Sequence, residues 1–143
     1  MALTGEERKI LAAAAERILP SDDGPGAAET GAAAYIERLL ETDGFRSWQP
    51  LFEDGLGRFE ELAEELFALP FPSCDADQRD EVLRRFQAEP DRLRRAFFRK
   101  LVSFTLEGFL CDPAHGGNRG GLGWSYLGVP EVHTGHCLGK TGE

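Results

Sequence analysis

Residues 91–110, DRLRRAFFRKLVSFTLEGFL, decide the fold because they are apolar on more than one side of a helix. One apolar stripe at helical spacing contains Leu93, Phe97, Leu101 and Phe104, and a second contains Phe98, Val102 and Phe109. A helix that is apolar around most of its circumference is buried among other helices. The stretch therefore predicts the central helix of an all-α bundle.

Two amphipathic segments with clear start and stop signals open the chain. Thr4 and Glu7 have the spacing of a capping box, and Pro20 ends the first segment. A polar loop over residues 21–30 precedes the second segment, which stops near Gly44. Their apolar positions are Ile10, Leu11, Ala14 and Ile18 in the first, and Tyr35, Ile36, Leu39 and Leu40 in the second. Both segments are therefore predicted to be helices that pack on the central one.

A third segment has the clearest helical period, and a short fourth one follows it. The third places Trp48, Leu51, Phe52, Phe59, Leu62 and Leu66 on one face. Gly55 and Gly57 interrupt it, which predicts a kink or a break into two pieces. Asp75 and Gln78 resemble an N-cap pair that opens the short helix, which Pro90 stops. The predicted fold is a small all-α bundle of about five helices around a central apolar helix.

Length and charge exclude some classes of function. The 143 residues suit one domain, and the net charge of −9 argues against a general nucleic-acid binder. No run of about 18 apolar residues is present, so no membrane-spanning helix is expected. No export signal precedes the first helix. We expect a cytoplasmic location, or a periplasmic one if a twin-arginine signal was removed or the partner carries it.

The charges are unevenly distributed along the chain. Residues 79–100 hold eight of the sixteen basic residues, whereas the charges of residues 53–65 are almost all acidic. One interpretation is a pair of solvated helix faces that form ion pairs with each other. The other is a basic patch that binds an acidic protein partner.

Three cysteines do not make a disulfide scaffold or a zinc site. Cys74, Cys111 and Cys137 are separated by 37 and 26 residues, without the paired short intervals of a zinc site. Cys111 and Cys137 can pair with each other, bond a partner chain or stay reduced, and reduced thiols are the rule in the cytoplasm.

Residues 111–143 are predicted to be an irregular, glycine-rich extension of the domain formed by residues 1–110. The extension is too short to fold alone, so it must wrap around the bundle or reach another protein. Gly116 and Gly117 permit close approach of the backbone, and Asn118 suits a hydrogen-bonded turn. A phosphate-binding loop lies between a strand and a helix, whereas this loop follows a helix and precedes none. Docking is therefore the favoured role, with Trp124, Tyr126 and Leu127 as apolar anchors.

These residues resemble the small subunit, subunit 3 or gamma, of gluconate 2-dehydrogenase-type complexes. The chain opens on a similar helix that ends in Ile18, Leu19 and Pro20, and its central helix ends in Thr105-Leu-Glu-Gly-Phe109. The family pattern Asp-Pro-x-x-Gly-Gly-Asn-x-x-x-x-x-Trp then stands here as Asp112, Pro113, Gly116, Gly117, Asn118 and Trp124. A closing Gly-x-Pro stands at residues 128–130.

The resemblance implies a non-catalytic subunit that stabilises or matures a large flavoprotein of the glucose-methanol-choline oxidoreductase type. The partner would hold the FAD and oxidise a sugar, polyol or sugar acid, whereas this chain would hold no cofactor. An electron-transfer subunit is a further candidate partner. Residues assigned to partner binding or to the structural loop are Glu107, Asp112, Pro113, Gly116, Gly117, Asn118, Arg119, Trp124 and Tyr126; no catalytic or metal residue is assigned.

Glu107 and the histidines support an alternative hypothesis, a free-standing metal-binding protein or enzyme. Because Glu107 lies in the most apolar part of the sequence, we expect it to accept backbone N–H groups of the glycine loop or to pair with Arg119. Arg119 is otherwise expected to contact a partner carboxylate or solvent. His133, His136 and Cys137 offer three ligands over a short span, but nothing predicts the helix or tight turn that would bring them together.

Overall fold

A computed structural model describes residues 3–21, 24–111 and 113–123. These residues form six α-helices and four short 3-10 helices, with no strand among them. The α-helices are α1 Gly5–Ile18, α2 Ala27–Thr30, α3 Ala32–Leu40, α4 Gln49–Phe67, α5 Ala76–Ala88 and α6 Arg92–Leu110. The 3-10 helices are Asp43–Trp48, Phe71–Ser73, Pro113–His115 and Arg119–Gly121. The predicted all-α bundle is confirmed, and none of these helices is long and apolar enough to span a membrane.

Two predicted helix starts are confirmed atom by atom. Thr4 Oγ1 accepts the Glu7 N–H at 3.1 Å, and a Glu7 carboxylate oxygen accepts the Thr4 N–H at 2.9 Å. Asp75 and Gln78 make the same reciprocal pair at the start of α5. Each pair satisfies backbone donors that a helix start leaves without intrahelical acceptors.

The predicted loop over residues 21–30 contains a helix that the sequence pattern missed. Glu29 accepts the Gly26 N–H at 2.8 Å and also a hydrogen bond from the Ser21 hydroxyl, which starts α2. Gly31 then ends α2 with φ 77°, and α3 begins at the next residue. Four residues are too few to show a helical period, so only the capping glutamate signals this helix.

The predicted kink in the third segment is wrong, because α4 is one continuous helix. A Cβ atom at Gly55 would lie 2.3 Å from the ring of Phe97 on α6. Gly55 therefore allows two helices to approach closely instead of bending one of them. Gly57 has open space beside it, so nothing in the structure explains that glycine.

Phenylalanine rings fill the core between α4, α5 and α6. Phe97 is fully buried, and its ring centroid lies 4.8 Å from that of Phe52 and 5.7 Å from those of Phe59 and Phe86. Edge-to-face and tilted pairs of this kind stabilise a core beyond their buried area. The alanine-rich helix α1 packs against all five other α-helices, since its small side chains let the neighbours approach.

Among the described residues, helix α6 packs against α1, α2, α3 and α4, as expected of a central helix, but one of its faces carries exposed side chains. Leu93 is 65% exposed, so its assignment to the buried stripe is wrong. Each four-residue step along a helix rotates the side-chain direction by about 40°. Leu93 lies two such steps before Leu101, so it points away from the core when Leu101 points into it. Leu106 and Leu110, 42% and 38% exposed, lie on the open face one turn apart.

Ion pairs between the acidic and basic stretches confirm that the two faces pair with each other. Arg94 on α6 makes a two-pronged pair with Asp54 on α4, at 2.9 and 3.2 Å. Arg58 reaches Glu89, and this pairing holds the pKa of Glu89 below its ordinary value. These pairs link α4 to α6 and to the segment that joins α5 and α6.

Candidate partner-binding surface

The segment of residues 113–123, called here the Asn118 loop, folds back onto the carboxyl end of α6. Cβ atoms built on Gly117 and Gly123 would lie 2.3 Å from the Gly108 carbonyl oxygen and 2.0 Å from that of Phe109. Only glycine permits such close backbone packing. Of the two alternatives for the extension, wrapping around the bundle is therefore the one that these residues adopt.

Asn118 holds the loop in place with three hydrogen bonds. It is fully buried, at φ 45° and ψ 49°, in the left-handed region that asparagine tolerates better than most residues. Its N–H donates to the Gly108 carbonyl at 2.6 Å, and its Nδ2 donates to the Cys111 carbonyl at 2.7 Å. Its Oδ1 accepts the Gly123 N–H at 2.7 Å. The side-chain amide offers both the donor and the acceptor that this position uses.

These bonds also complete the end of α6. The last carbonyl groups of a helix have no intrahelical donor. The Glu107 carbonyl accepts the Cys111 N–H at 2.7 Å, and the next carbonyl, that of Gly108, accepts the Asn118 N–H. The loop amides at Gly116, Asn118, Gly121 and Gly123 are all used within the chain, which leaves none of these four for a phosphate.

Two arginines cover the outer side of the loop region. The Arg38 guanidinium lies so close to Gly116 that a Cβ atom on Gly116 would be 2.3 Å from Nη1 of Arg38. Gly116 also has φ 96°. Arg119 is exposed and lies over Gly31 at a groove of alanines from α1, α2 and α3. The loop is thereby placed against α2 and α3 as well as α6.

Glu107 is not where the sequence suggested, and its predicted bonds to the glycine loop or to Arg119 are wrong. Its side chain is exposed, and it accepts a hydrogen bond of 3.0 Å from the Tyr35 hydroxyl of α3. The open face of α6 contains position 107, whereas the loop packs over Gly108 and Phe109. Burial raises the pKa of Tyr35 well above its ordinary value, and the bond to Glu107 raises it further.

Tyr35 lies at the centre of an apolar seam between two helices. Together with Leu106, Glu107, Leu110 and Cys111 it lines one open depression, and with Arg38, Leu39 and Thr42 it lines a second. We call the set Tyr35, Leu39, Leu106, Glu107 and Leu110 the α3–α6 surface. It presents leucine side chains around one hydroxyl–carboxylate pair, the mixture of apolar area and polar handles found at protein interfaces.

A family comparison covers nearly all of these elements. The family model for gluconate 2-dehydrogenase subunit 3 matches residues 5–130.

The chain belongs to the gluconate 2-dehydrogenase subunit 3 family.

This family is one of subunits of a dehydrogenase complex, so an accessory role follows from membership. Comparison with curated proteins, and separately with solved structures, gave no match.

The described residues contain only part of the predicted subunit 3 motif. Pro113 begins a 3-10 helix of the Asn118 loop, which also contains Gly116, Gly117, Asn118 and Arg119. Other assigned or considered residues lie outside the described ones: Asp112, Trp124, Tyr126, His133, His136 and Cys137. Within residues 3–21, 24–111 and 113–123, no group of three His, Cys, Asp or Glu side chains is arranged to hold a metal ion.

The exposure of Leu106 and Leu110, and the position of Tyr35 beside them, were not predicted from the sequence. Tyr35 fell on an apolar helical stripe, which predicts burial, and its partner Glu107 is 72 positions away. The leucines sit in the most apolar half of α6, where helical period alone does not say which side is covered. The signal available was the excess of apolar positions: a helix with more apolar sides than neighbours must expose one of them.

Proposed function

We propose that this chain is the non-catalytic small subunit of a flavin-dependent dehydrogenase of sugars, polyols or sugar acids. It binds the large FAD-containing subunit and stabilises or matures it. FAD belongs to the partner, and an electron-transfer subunit is a further candidate component. The observation that carries this proposal is the α3–α6 surface, an apolar seam placed beside a loop that Asn118 bonds to the end of α6.

Leu106 and Leu110 keep 42% and 38% of their surface exposed, so the isolated bundle leaves part of each side chain in contact with water. Scattered single leucines are normal on protein surfaces, whereas a contiguous apolar set with a polar handle is typical of an interface. Leu106 and Leu110 lie one helical turn apart and share a depression with Tyr35. Covering them with a partner would remove apolar area from water and favour association.

The Asn118 loop supports the proposal by being ordered in advance. The N–H group of Asn118 donates to α6, and those of Gly121 and Gly123 donate to Asn118. A segment fixed before association loses less conformational entropy when the partner binds. The loop therefore supplies a fixed edge for the α3–α6 surface.

The experiment is affinity purification of the tagged chain from its native host. We expect an FAD-containing oxidoreductase, identified by mass spectrometry and flavin absorbance, to copurify in a fixed ratio. The double variant L106E/L110E places two charges in the seam, and we expect it to reduce the recovered flavin at least about tenfold. L93E is the matched control, because Leu93 is more exposed than either leucine but lies outside the seam.

Two outcomes would contradict the proposal. One is undiminished capture of the flavoprotein by L106E/L110E when circular dichroism shows both variants folded. The other is dehydrogenase activity in the purified chain without any flavoprotein.

A further inference from the structure

Arg95 and Arg99 on α6 have no ion-pair partner among the described residues. Both are exposed, and they lie one turn apart. Most basic side chains around them are engaged: Arg94 by Asp54, Arg84 and Arg85 by Glu81, and Lys100 by the ring of Trp48. In a chain of net charge −9, acidic side chains are abundant, so two uncompensated guanidinium groups side by side need an explanation.

These arginines flank a small pocket with an aromatic floor. Phe86, Gln87, Arg95, Phe98 and Arg99, called here the Arg95–Arg99 pocket, line a cavity of about 170 Å³. The Phe86 and Phe98 rings lie 5.9 Å apart, and Phe98 is only partly buried. The cavity is below the range of about 300–1,000 Å³ for small-molecule and cofactor sites. It has room for one large apolar side chain.

The position of Arg95 opposes helix stability. The first turn of α6 contains three arginines, at positions 92, 94 and 95, and no acidic residue. The amino end of a helix carries partial positive charge and favours acidic side chains, so exposed cations there are unfavourable. Asp91 offsets part of this charge as the N-cap. Intramolecular stability therefore gives no reason for an unpaired arginine at position 95.

We infer that the Arg95–Arg99 pocket binds an acidic segment of a protein partner, which inserts one apolar side chain between the two guanidinium groups. Carboxylates beside that side chain pair with Arg95 and Arg99, since a guanidinium presents a planar fork that matches a carboxylate. The apolar side chain covers the exposed part of the Phe98 ring. The inference rests on the proposed function only for the identity of the protein that carries the segment.

The pocket lies on the same open face of α6 as the exposed leucines. Positions 95, 99, 106 and 110 are separated by nearly whole turns of the helix, so they form one stripe about 22 Å long. Its amino-terminal half is cationic and its carboxy-terminal half is apolar. A segment lying along α6 would then have its acidic part over the pocket and its apolar part over the leucines. The two halves together fix the direction in which it binds.

Fluorescence anisotropy with short labelled peptides tests the pocket on the full chain. The probe is Glu-Asp-Leu-Asp-Glu, with Glu-Asp-Ser-Asp-Glu and Lys-Lys-Leu-Lys-Lys as its two comparison peptides. We expect the acidic leucine peptide to bind best and to weaken as salt rises. R95E/R99E should weaken it at least about tenfold.

Two further variants keep the test independent of folding. R84E/R85E makes the same change of net charge in the same basic stretch but outside the pocket, so its affinity should stay within about twofold of wild type. Gln87→Glu adds a negative charge at the exposed rim without touching the core, and we expect it to weaken binding severalfold.

Several results would overturn the inference. These are equal loss of affinity in R84E/R85E, equal binding of the serine peptide, or equally tight binding of an oligonucleotide or of anionic lipid vesicles. Failure here is distinct from failure of the proposed function: without peptide binding, flavoprotein capture that still depends on Leu106 and Leu110 removes the pocket and leaves the accessory role standing.

Discussion

The phenylalanine core and the Asn118 loop are held by opposite means. Each central ring contacts several others, so the core depends on shape and apolar area shared among many side chains. The loop depends on one buried amide and a few glycines that touch the α6 backbone. A core of this kind sets the global stability, whereas a loop held by directional bonds can open alone.

Replacing the ring at the centre of the core should have the largest effect. Phe97→Ala removes a fully buried ring with three aromatic neighbours, and we expect a loss of about 3–5 kcal/mol in the free energy of unfolding. Urea denaturation followed by circular dichroism measures it. Leu93→Ala, on the same helix but mostly exposed, should change stability by less than about 0.5 kcal/mol. Equal losses in the two variants would contradict the assignment of Phe97 to the core.

Removal of the Asn118 side-chain amide should have a smaller effect on stability, and a local one. Asn118→Ala loses both side-chain hydrogen bonds and puts alanine at positive φ, for a loss of about 1–3 kcal/mol. Hydrogen exchange of amides in residues 116–123 should accelerate while α4 and α6 stay protected. Asn118→Gly separates the two causes, because glycine tolerates the backbone but lacks the amide, and it should recover about 1 kcal/mol. Hydrogen exchange that accelerates equally across the whole bundle would contradict the conclusion that the loop opens separately from the core.

The Arg58–Glu89 ion pair makes the free energy of unfolding of the bundle depend on pH. The pKa of Glu89 is held below its ordinary value of 4.5 by the hydrogen bond from Arg58, so the folded state favours the charged carboxylate. This contribution is present above the unfolded pKa and is lost as pH falls through the folded pKa. Unfolding free energies of wild type and Glu89→Gln should differ by about 1 kcal/mol near neutral pH and converge in acid. A difference that persists in acid would rule out this ion pair as its source.

The smallest effect is expected on the α3–α6 surface. Tyr35→Phe removes only the hydroxyl that donates to the exposed Glu107, so stability should change by less than about 1 kcal/mol. Flavoprotein capture should fall severalfold, because the polar handle lies within the proposed interface. Unchanged capture would assign the Tyr35–Glu107 bond to the free bundle alone.

What the sequence predicted well is what depends on neighbours in the chain. Thr4 and Glu7 are three positions apart, so the cap they form is visible as a pattern. The role of Gly55 depends on a ring 42 positions away, and a glycine that separates helices looks the same as one that bends them. The prediction for Glu107 failed for the same reason, since only the fold shows that the Tyr35 hydroxyl is nearer to Glu107 than the loop N–H groups are.

The candidate site divides along the same line. The glycines and Asn118 are specific enough to indicate a tight loop from residue type and spacing alone. The sequence does not show which carbonyls Asn118 bonds, because those groups are backbone and carry no sequence signature. The exposed leucines likewise have the composition of a core, and only the placement of α3 reveals their open side.

The bonding of Asn118 to the end of α6 also sets an order of assembly. Its acceptors, the Gly108 and Cys111 carbonyls, reach their positions only when the last turn of the helix has formed. Closure of the Asn118 loop therefore requires that the last turn of α6 has formed. A partner that contacts the closed loop would engage finished subunits and pass over those still folding.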